Sequence, residues 1–399
     1  MSPEALSASD ATRARVSAPG ARTGAMLIAL GVLWLALDVA TGGLFLSPRN
    51  LVNLAVQASA VGVMATGMVL VIVARQIDLS IGSVLGFTGM VIAGLQVEDG
   101  LPGGPLPWPI ALCAGIALAC AIGAWHGAWV AYARLPAFVA TLAGLLVFRG
   151  AAWLVSDGRT LAPLDATYTR IGGGLHGTIG ATATWWLAAA ISAGIAASRL
   201  SGWRRAPSSG GLARIALPAA SLFGTVIAIA AIANSVPAPD GSPAGLPLPV
   251  LVLGAVALAV HGLATRTRFG RHVFAIGGNP RAAELAGIDV RGVTLRAFTL
   301  LGALAGVAAV LTTARLGAGT NSMGTLAELA VIAAAVLGGT SLAGGAGSVG
   351  GALLGALWMQ SLENGMVLLD VTSALRQVAI GLVLLIAVAA DARWRGAAP

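Results

Sequence analysis

Polar and ionisable side chains are scarce in this chain, and where they interrupt apolar stretches each needs a chemical reason. Two passages stand out. Residues 75–83, Arg-Gln-Ile-Asp-Leu-Ser-Ile-Gly-Ser, place Asp78, Ser80, Gly82 and Ser83 between two apolar runs. Residues 337–348 hold Thr340 and Ser341 among five glycines, including Gly344 and Gly345. Backbone of this kind is tolerated at membrane depth only where protein or a water-filled cavity satisfies its amides and carbonyls. In transporters, helix breaks at corresponding places in two halves mark the route of the solute. The competing reading is plainer: glycines for close helix packing, or loops at the membrane surface. Asp38, Arg149, Glu328 and Glu363 also lie inside apolar segments, with Arg149 and Glu328 deepest. A pair between Arg149 and a carboxylate either braces helices or lines the route. No series of acids at helical spacing suggests a proton relay.

Other chemistry is excluded by residue type. The chain has no lysine, so a phosphate-binding loop of the Walker type has no residue to reach the β and γ phosphates. His126, His176, His261 and His272 are dispersed without zinc-ligand spacing, and no nucleophile elbow is present. Cys113 and Cys120, seven apart in one apolar segment, have no third ligand and read as small apolar residues. What remains is passage of a solute, with energy supplied elsewhere and no cofactor held by this chain.

The elements that position these residues follow from composition. Of 399 residues 57% are hydrophobic and 10% charged, with a mean hydropathy of +0.89, more apolar side chain than a water-soluble core can absorb. The net charge of +8 comes from arginines at the ends of apolar segments, which is the positive-inside pattern and not a nucleic-acid surface. Dividing the chain at its Pro, Gly and Arg clusters gives an all-α, polytopic transmembrane helical bundle of about twelve spans, ten to twelve in all. The segments are 25–45, 51–74, 80–97, 109–132, 136–156, 184–199, 214–235, 247–264, 293–314, 324–343, 347–369 and 374–391. Segments 136–156 and 324–369 carry the Gly and polar residues expected of re-entrant or broken helices. Arginine asymmetry puts both termini in the cytoplasm. Residues 1–24 and 392–399 are then cytoplasmic tails around a single membrane domain at 25–391.

One polar stretch stands apart. Residues 265–292 form an arginine-rich loop on the cytoplasmic side, in which Gly277-Gly278-Asn279-Pro280 is a turn leading into a helix. Asn279 is placed to cap, Pro280 to take the first helical position, and Gly287 to end a helix of roughly two turns. Ala282, Ala283 and Ala286 suit a short helix that sits close to a partner, with Arg281 and Glu284 at the rim.

Five stretches together carry a family resemblance: FLSPRNLVNL (45–54), QIDLSIGSVLG (76–86), LPAFVATLAGLLVFRG (135–150), TRFGRHVFAIGGNPRAAELAGI (267–288) and AVLGGTSLAGGAGSVGGALLGA (335–356). In this order they resemble the membrane subunit of bacterial ABC importers for monosaccharides, the ribose/xylose/arabinose permease family. The family usually shows a glycine pair where this chain has Arg75-Gln76, and a serine where it has Ala286. An additional region at 161–249, with about two extra spans, is similar in length to xylose-type members, and D-xylose is the first substrate it implies. Branched-chain amino acid permeases of the same architecture and ion-coupled carriers are the alternatives. The resemblance implies a permease dimer in the bacterial inner membrane, a separate cytoplasmic ATPase holding ATP and magnesium, and a periplasmic sugar-binding protein. Gly278, Asn279, Ala282, Ala283 and Gly287 would form the helix that couples to the ATPase. Asp78, Ser80, Gly82, Ser83, Arg149, Glu328, Thr340, Ser341, Gly344 and Gly345 would line the sugar pathway.

Overall fold

The computed structural model describes residues 18–102, 104–174, 177–205 and 213–396. Most of the tail expected at 1–24 and the last three residues of that expected at 392–399 lie outside the described residues. Among those described there is no strand, only isolated bridges such as Leu161 with Gly319. The helices are α1 (Ala18–Ala40), α2 (Pro48–Val73), α3 (Ile81–Gly94), α4 (Trp108–Ala131), α5 (Ala137–Ser156), α6 (Ala181–Arg205), α7 (Ala213–Asn234), α8 (Leu248–Arg266), α9 (Arg268–Gly278), α10 (Pro280–Leu285), α11 (Val290–Leu316), α12 (Ala327–Leu337), α13 (Val349–Leu368) and α14 (Ser373–Gly396). The chain is a polytopic helical membrane protein.

Among the described residues, seven helices are long and apolar enough to cross a membrane. In α2, 83% of the apolar window is buried, and in α11 72%, against 28% or less in the other five, so α2 and α11 form the centre. The tightest pairing, α4 on α11, has a sequence cause. Ala119, Gly123 and Gly127 recur every fourth residue on α4; Ala119 and Gly123 meet Gly302 and Gly306 of α11 and Gly127 meets Leu295 and Phe298, letting backbones approach as small residues do in membranes. α1 docks on α13 through a Trp34 Nε1 hydrogen bond to Ser361 Oγ (2.9 Å). Asp38, flagged as an acid within an apolar run, accepts from the Leu46 amide (2.9 Å) and so fixes the turn after α1.

Each of the twelve expected segments contains a helix, but not every helix is a full crossing. α3 has 14 residues and α12 has 11, roughly 21 and 17 Å against a hydrocarbon core of about 30 Å. The segments 80–97 and 324–343 are therefore half-helices. Segment 136–156 is the reverse correction: α5 is one unbroken helix of 20 residues.

The two half-helices belong to inverted units. α2 runs toward the Arg-rich 265–292 segment, residues 74–80 turn back without helix, and α3 then leads away. α11 starts from that segment and runs the other way, residues 317–326 turn back along α3, and α12 returns. Contacts fix this course: Gly319 packs on Ala93 near the end of α3, and Gly324 on Gly82 near its start. The α6–α7 hairpin, within the additional 161–249 region, packs mainly on itself and touches the bundle through α2.

Candidate coupling helix, core breaks and cavity

The coupling helix forms where its local signals put it. Asn279 Oδ1 accepts from the Ala282 amide (3.1 Å), Pro280 opens α10, and Gly287 turns the chain at φ +82°. The amides of Gly287 and Ile288 then donate to Glu284 O and Ala283 O (3.0 Å each). Gly278, Asn279, Ala282 and Gly287 are exposed. Ala283 is 5% exposed, so it packs the helix onto its own chain and cannot be a contact residue. Leu285, which sequence reasoning passed over, is 84% exposed, the kind of apolar side chain that marks a docking surface. The reading of 265–292 as a loop with one short helix also needs correction. α9 adds eleven helical residues, capped by Thr267 Oγ1 accepting from the Gly270 amide (3.3 Å), with Val273 and Ile276 buried.

Both expected breaks meet this helix pair. Arg75, in the left-handed region at φ +64°, donates through Nε to Gly277 O (2.8 Å) and through Nη2 to Gly278 O (2.9 Å). The Gly345 amide donates to Val73 O (3.0 Å), and Gly344, at φ +86°, lies where any Cβ would strike the Arg75 side chain. Thr340 and Ser341 are buried in the same loop, and the Ser341 amide donates to Ala346 O (2.8 Å).

The other pathway candidates gather where the half-helices start. Asp78 Oδ1 accepts from the Ser80 amide (2.7 Å) and from Ser80 Oγ (2.6 Å), and the Leu79 amide donates to Thr141 Oγ1 on α5 (3.1 Å). Glu328 stands in the first turn of α12. Acids at these two N-termini match the positive ends of the helix dipoles. A Cβ on Gly82 would strike Glu328 Oε2 and Gly324 O, so only glycine lets the two units touch here. Arg149 makes no hydrogen bond to a carboxylate, although Glu328 lies within its electrostatic reach. It donates to Met323 O (2.8 Å) and Gly324 O (3.0 Å), tying down the tip of the returning segment. Ser83 Oγ, Thr340 Oγ1 and Glu328 Oε2 are buried without a hydrogen-bond partner. α5 is thus a common brace, holding one returning segment through Thr141 and the other through Arg149.

A cavity of about 580 Å³ lies elsewhere, at the end opposite α10, and none of the ten pathway candidates lines it. Its walls include Asn50, Asn53 and Val56 of α2, Arg315 at the end of α11, and Thr178 and Gly245 from the additional region. Arg315 Nη2 donates to Asn53 Oδ1 (3.2 Å), and Asn50 Nδ2 to Asn364 Oδ1 (3.0 Å). Gln360 donates to Glu363 (2.8 Å), a carboxylate within electrostatic reach of Arg315. Sequence reasoning flagged Glu363 alone. The signal it lacked was the i, i+3, i+7 spacing of Asn50, Asn53 and Gln57 on α2. Among the described residues no group of His, Cys, Asp or Glu could hold a metal ion.

Residues 50–388 match the family described as branched-chain amino acid transport system / permease component. The chain is 42% identical over 379 residues to the xylose transport system permease protein XylH of Haemophilus influenzae, covering 92% of this chain and 95% of that protein. It is 38% identical over 377 residues to XylH of Escherichia coli K12, with 92% and 90% covered. To the ribose import permease protein RbsC of the same strain it is 35% identical over 350 residues, with 87% of each covered. No solved structure matches. Permease components are the non-catalytic membrane subunits of ABC transporters. The chain belongs to this family of ABC transport-system permeases, in the company of its xylose and ribose members.

Proposed function

We propose that the chain is the conducting subunit of an ATP-driven importer that passes a monosaccharide, D-xylose first, into the bacterial cytoplasm. The observation that carries this reading is α10: a capped, exposed helix that follows directly on α9, whose last two carbonyls bond Arg75 of the first break and whose Gly277 packs on Gly345 of the second. A chain without lysine has no Walker site of its own, and α10 is a handle by which a separate ATPase, holding ATP and magnesium, moves the core. Gly278, Asn279, Ala282, Gly287 and Leu285 form the docking face, and Ala283 seats the helix. In this reading α10 and both termini lie in the cytoplasm of a homodimer in the inner membrane. A periplasmic binding protein delivers sugar at the opposite end. Asp78, Ser80, Gly82, Ser83, Arg149, Glu328, Thr340, Ser341, Gly344 and Gly345 belong to the inner route, meeting sugar when the half-helices part.

The family description names amino acid transport, whereas the relatives at 35–42% identity are named for xylose and ribose. Sugar is therefore the first substrate to test. The experiment is reconstitution of the permease with its ATPase and binding protein in liposomes. Uptake of D-xylose that requires ATP is expected. Stimulation of ATP hydrolysis by leucine and not by sugar would move the chain to the amino acid group. Accumulation on a proton or sodium gradient without the ATPase would overturn the reading entirely.

A further inference from the structure

The cavity opposite α10 has features of a built solute site. Its volume of about 580 Å³ falls within the roughly 300–1,000 Å³ of small-molecule sites. Three helices of the conserved-length core converge there: α2 brings Asn50 and Asn53, α11 brings Arg315, and α13 brings Glu363 and Gln360 behind them. Asn53 spends its carbonyl on Arg315, which leaves its amide N–H groups to donate. Glu363 lies within electrostatic reach of Arg315, so the cation has an acidic counterpart nearby. That chemistry suits a neutral polyol. Val52 and Val236 add apolar surface for its C–H faces.

The rim is a second, independent observation. It comes from the additional region: Thr178, Val236 and Gly245 line the cavity, and backbone bonds hold their loops together. The Ile179 amide donates to Leu246 O (3.1 Å), Gly180 to Ala244 O (3.1 Å) and Leu248 to Gly177 O (2.9 Å). Thr184 Oγ1 accepts from the Leu246 amide (2.9 Å). The segments that flank the α6–α7 hairpin thus supply one wall of the cavity. Toward α10, Leu253 of α8 and Leu353 of α13 pack against Gly62 of α2.

Resting on the sugar-permease reading, we propose that this cavity is where the permease receives a neutral monosaccharide from its delivery protein, with Asn53 and Arg315 as hydroxyl contacts and the rim of the additional region setting which sugar enters. Weak contacts are what such a site requires, because the solute must leave again.

The test uses the complete complex in liposomes, with binding protein loaded with radiolabelled D-xylose or D-ribose. In Asn53→Leu, sugar taken up per ATP hydrolysed should fall roughly tenfold, the loss of a hydrogen-bond partner in passage. Thr178→Val should change the ratio of D-xylose to D-ribose uptake. A readout that does not depend on tolerance of leucine is Asn53→Cys in a chain where Cys113 and Cys120 are replaced by Ala. A charged thiol reagent added on the binding-protein side should label it, loaded binding protein should protect it, and labelling should abolish uptake. Wild-type uptake per ATP in both Asn53→Leu and the labelled Asn53→Cys, or failure of the cysteine to label, overturns the proposal. A wild-type complex that carries neither sugar overturns the permease reading instead.

Discussion

Replacing Arg75 tests whether α10 moves the membrane core or merely rests on it. The guanidinium makes two charge-assisted bonds to the carbonyls of Gly277 and Gly278. Buried bonds of that type contribute about 1.5–3 kcal/mol each, but Arg75 is exposed, and screening by solvent reduces each to about 0.2–1 kcal/mol. The clamp as a whole is then worth about 0.4–2 kcal/mol, or roughly 2- to 30-fold in an equilibrium. Against this stands the left-handed backbone at φ +64°, which costs a residue with a Cβ about 1–2 kcal/mol. Arg75→Ala loses the bonds and keeps the strain, whereas Arg75→Gly loses the bonds and relieves it.

The assay is ATP hydrolysed per sugar transported in the reconstituted complex, beside the melting temperature of the purified permease. Both variants should raise the ATP cost per sugar by roughly 2- to 30-fold, and only Arg75→Ala should lower the melting temperature appreciably. Arg75→Lys should fall between, because an ammonium is a point donor and lacks the planar fork that spans two carbonyls. Unchanged stoichiometry in Arg75→Gly would refute the reasoning, since the clamp would then hold the fold together without transmitting movement.

Two further substitutions separate docking from support. Leu285→Asp, at an 84% exposed site, should leave the melting temperature of the permease nearly unchanged, within about 0.5 kcal/mol, yet weaken co-purification with the ATPase; undiminished co-purification would remove α10 from the interface. Arg149→Met strands the carbonyls of Met323 and Gly324 inside the core, at about 1–3 kcal/mol each. It should therefore lower the melting temperature with or without the ATPase, and a variant as stable as the wild type would show that Arg149 does not hold the returning segment.

The parts of this architecture that were legible in the sequence are those whose signals are local. Asn279, Pro280 and Gly287 specify α10 within nine residues, so cap, start and stop could be read in order. α9 was missed for the opposite reason. Gly270, Gly277 and Gly278 lower its helix propensity, and it is stabilised by burying Val273 and Ile276 on the bundle, which no local pattern reports. The half-helix α12 fell within 324–369, where a broken helix was expected, but α3 was misjudged because hydropathy measures apolar content and not direction. Residues 80–97 are apolar enough for a span, and nothing in their composition says that 74–80 has already used part of the membrane depth. Similarly, Asp78 and Arg149 drew attention as free polar groups, but one is occupied by Ser80 and the other by backbone carbonyls.

The clamp and the cavity share one element. Val73, where α2 meets Gly345, and Asn53, where it meets Arg315, are twenty residues apart on a helix, about 30 Å at 1.5 Å per residue. Gly67 of α2 sits against Leu301 and Leu304 of α11, Gly62 against Leu253 of α8 and Leu353 of α13, and the middle of the helix is fully buried. Such a helix is ill suited to bending and well suited to tilting as a rod, because close-packed neighbours resist local deformation more than rigid displacement. A displacement of α10 that pulls on Arg75 would therefore reach Asn53 through α2 without any rearrangement of the residues between. The inverted unit gives a second lever of the same kind, since α11 begins four residues after Ala286 and ends at Arg315, on the other side of the Asn53 bond. In the proposed importer both walls of the cavity would thus answer to one short helix at the far end of the molecule, and a movement there would open or close the cavity without contacting it.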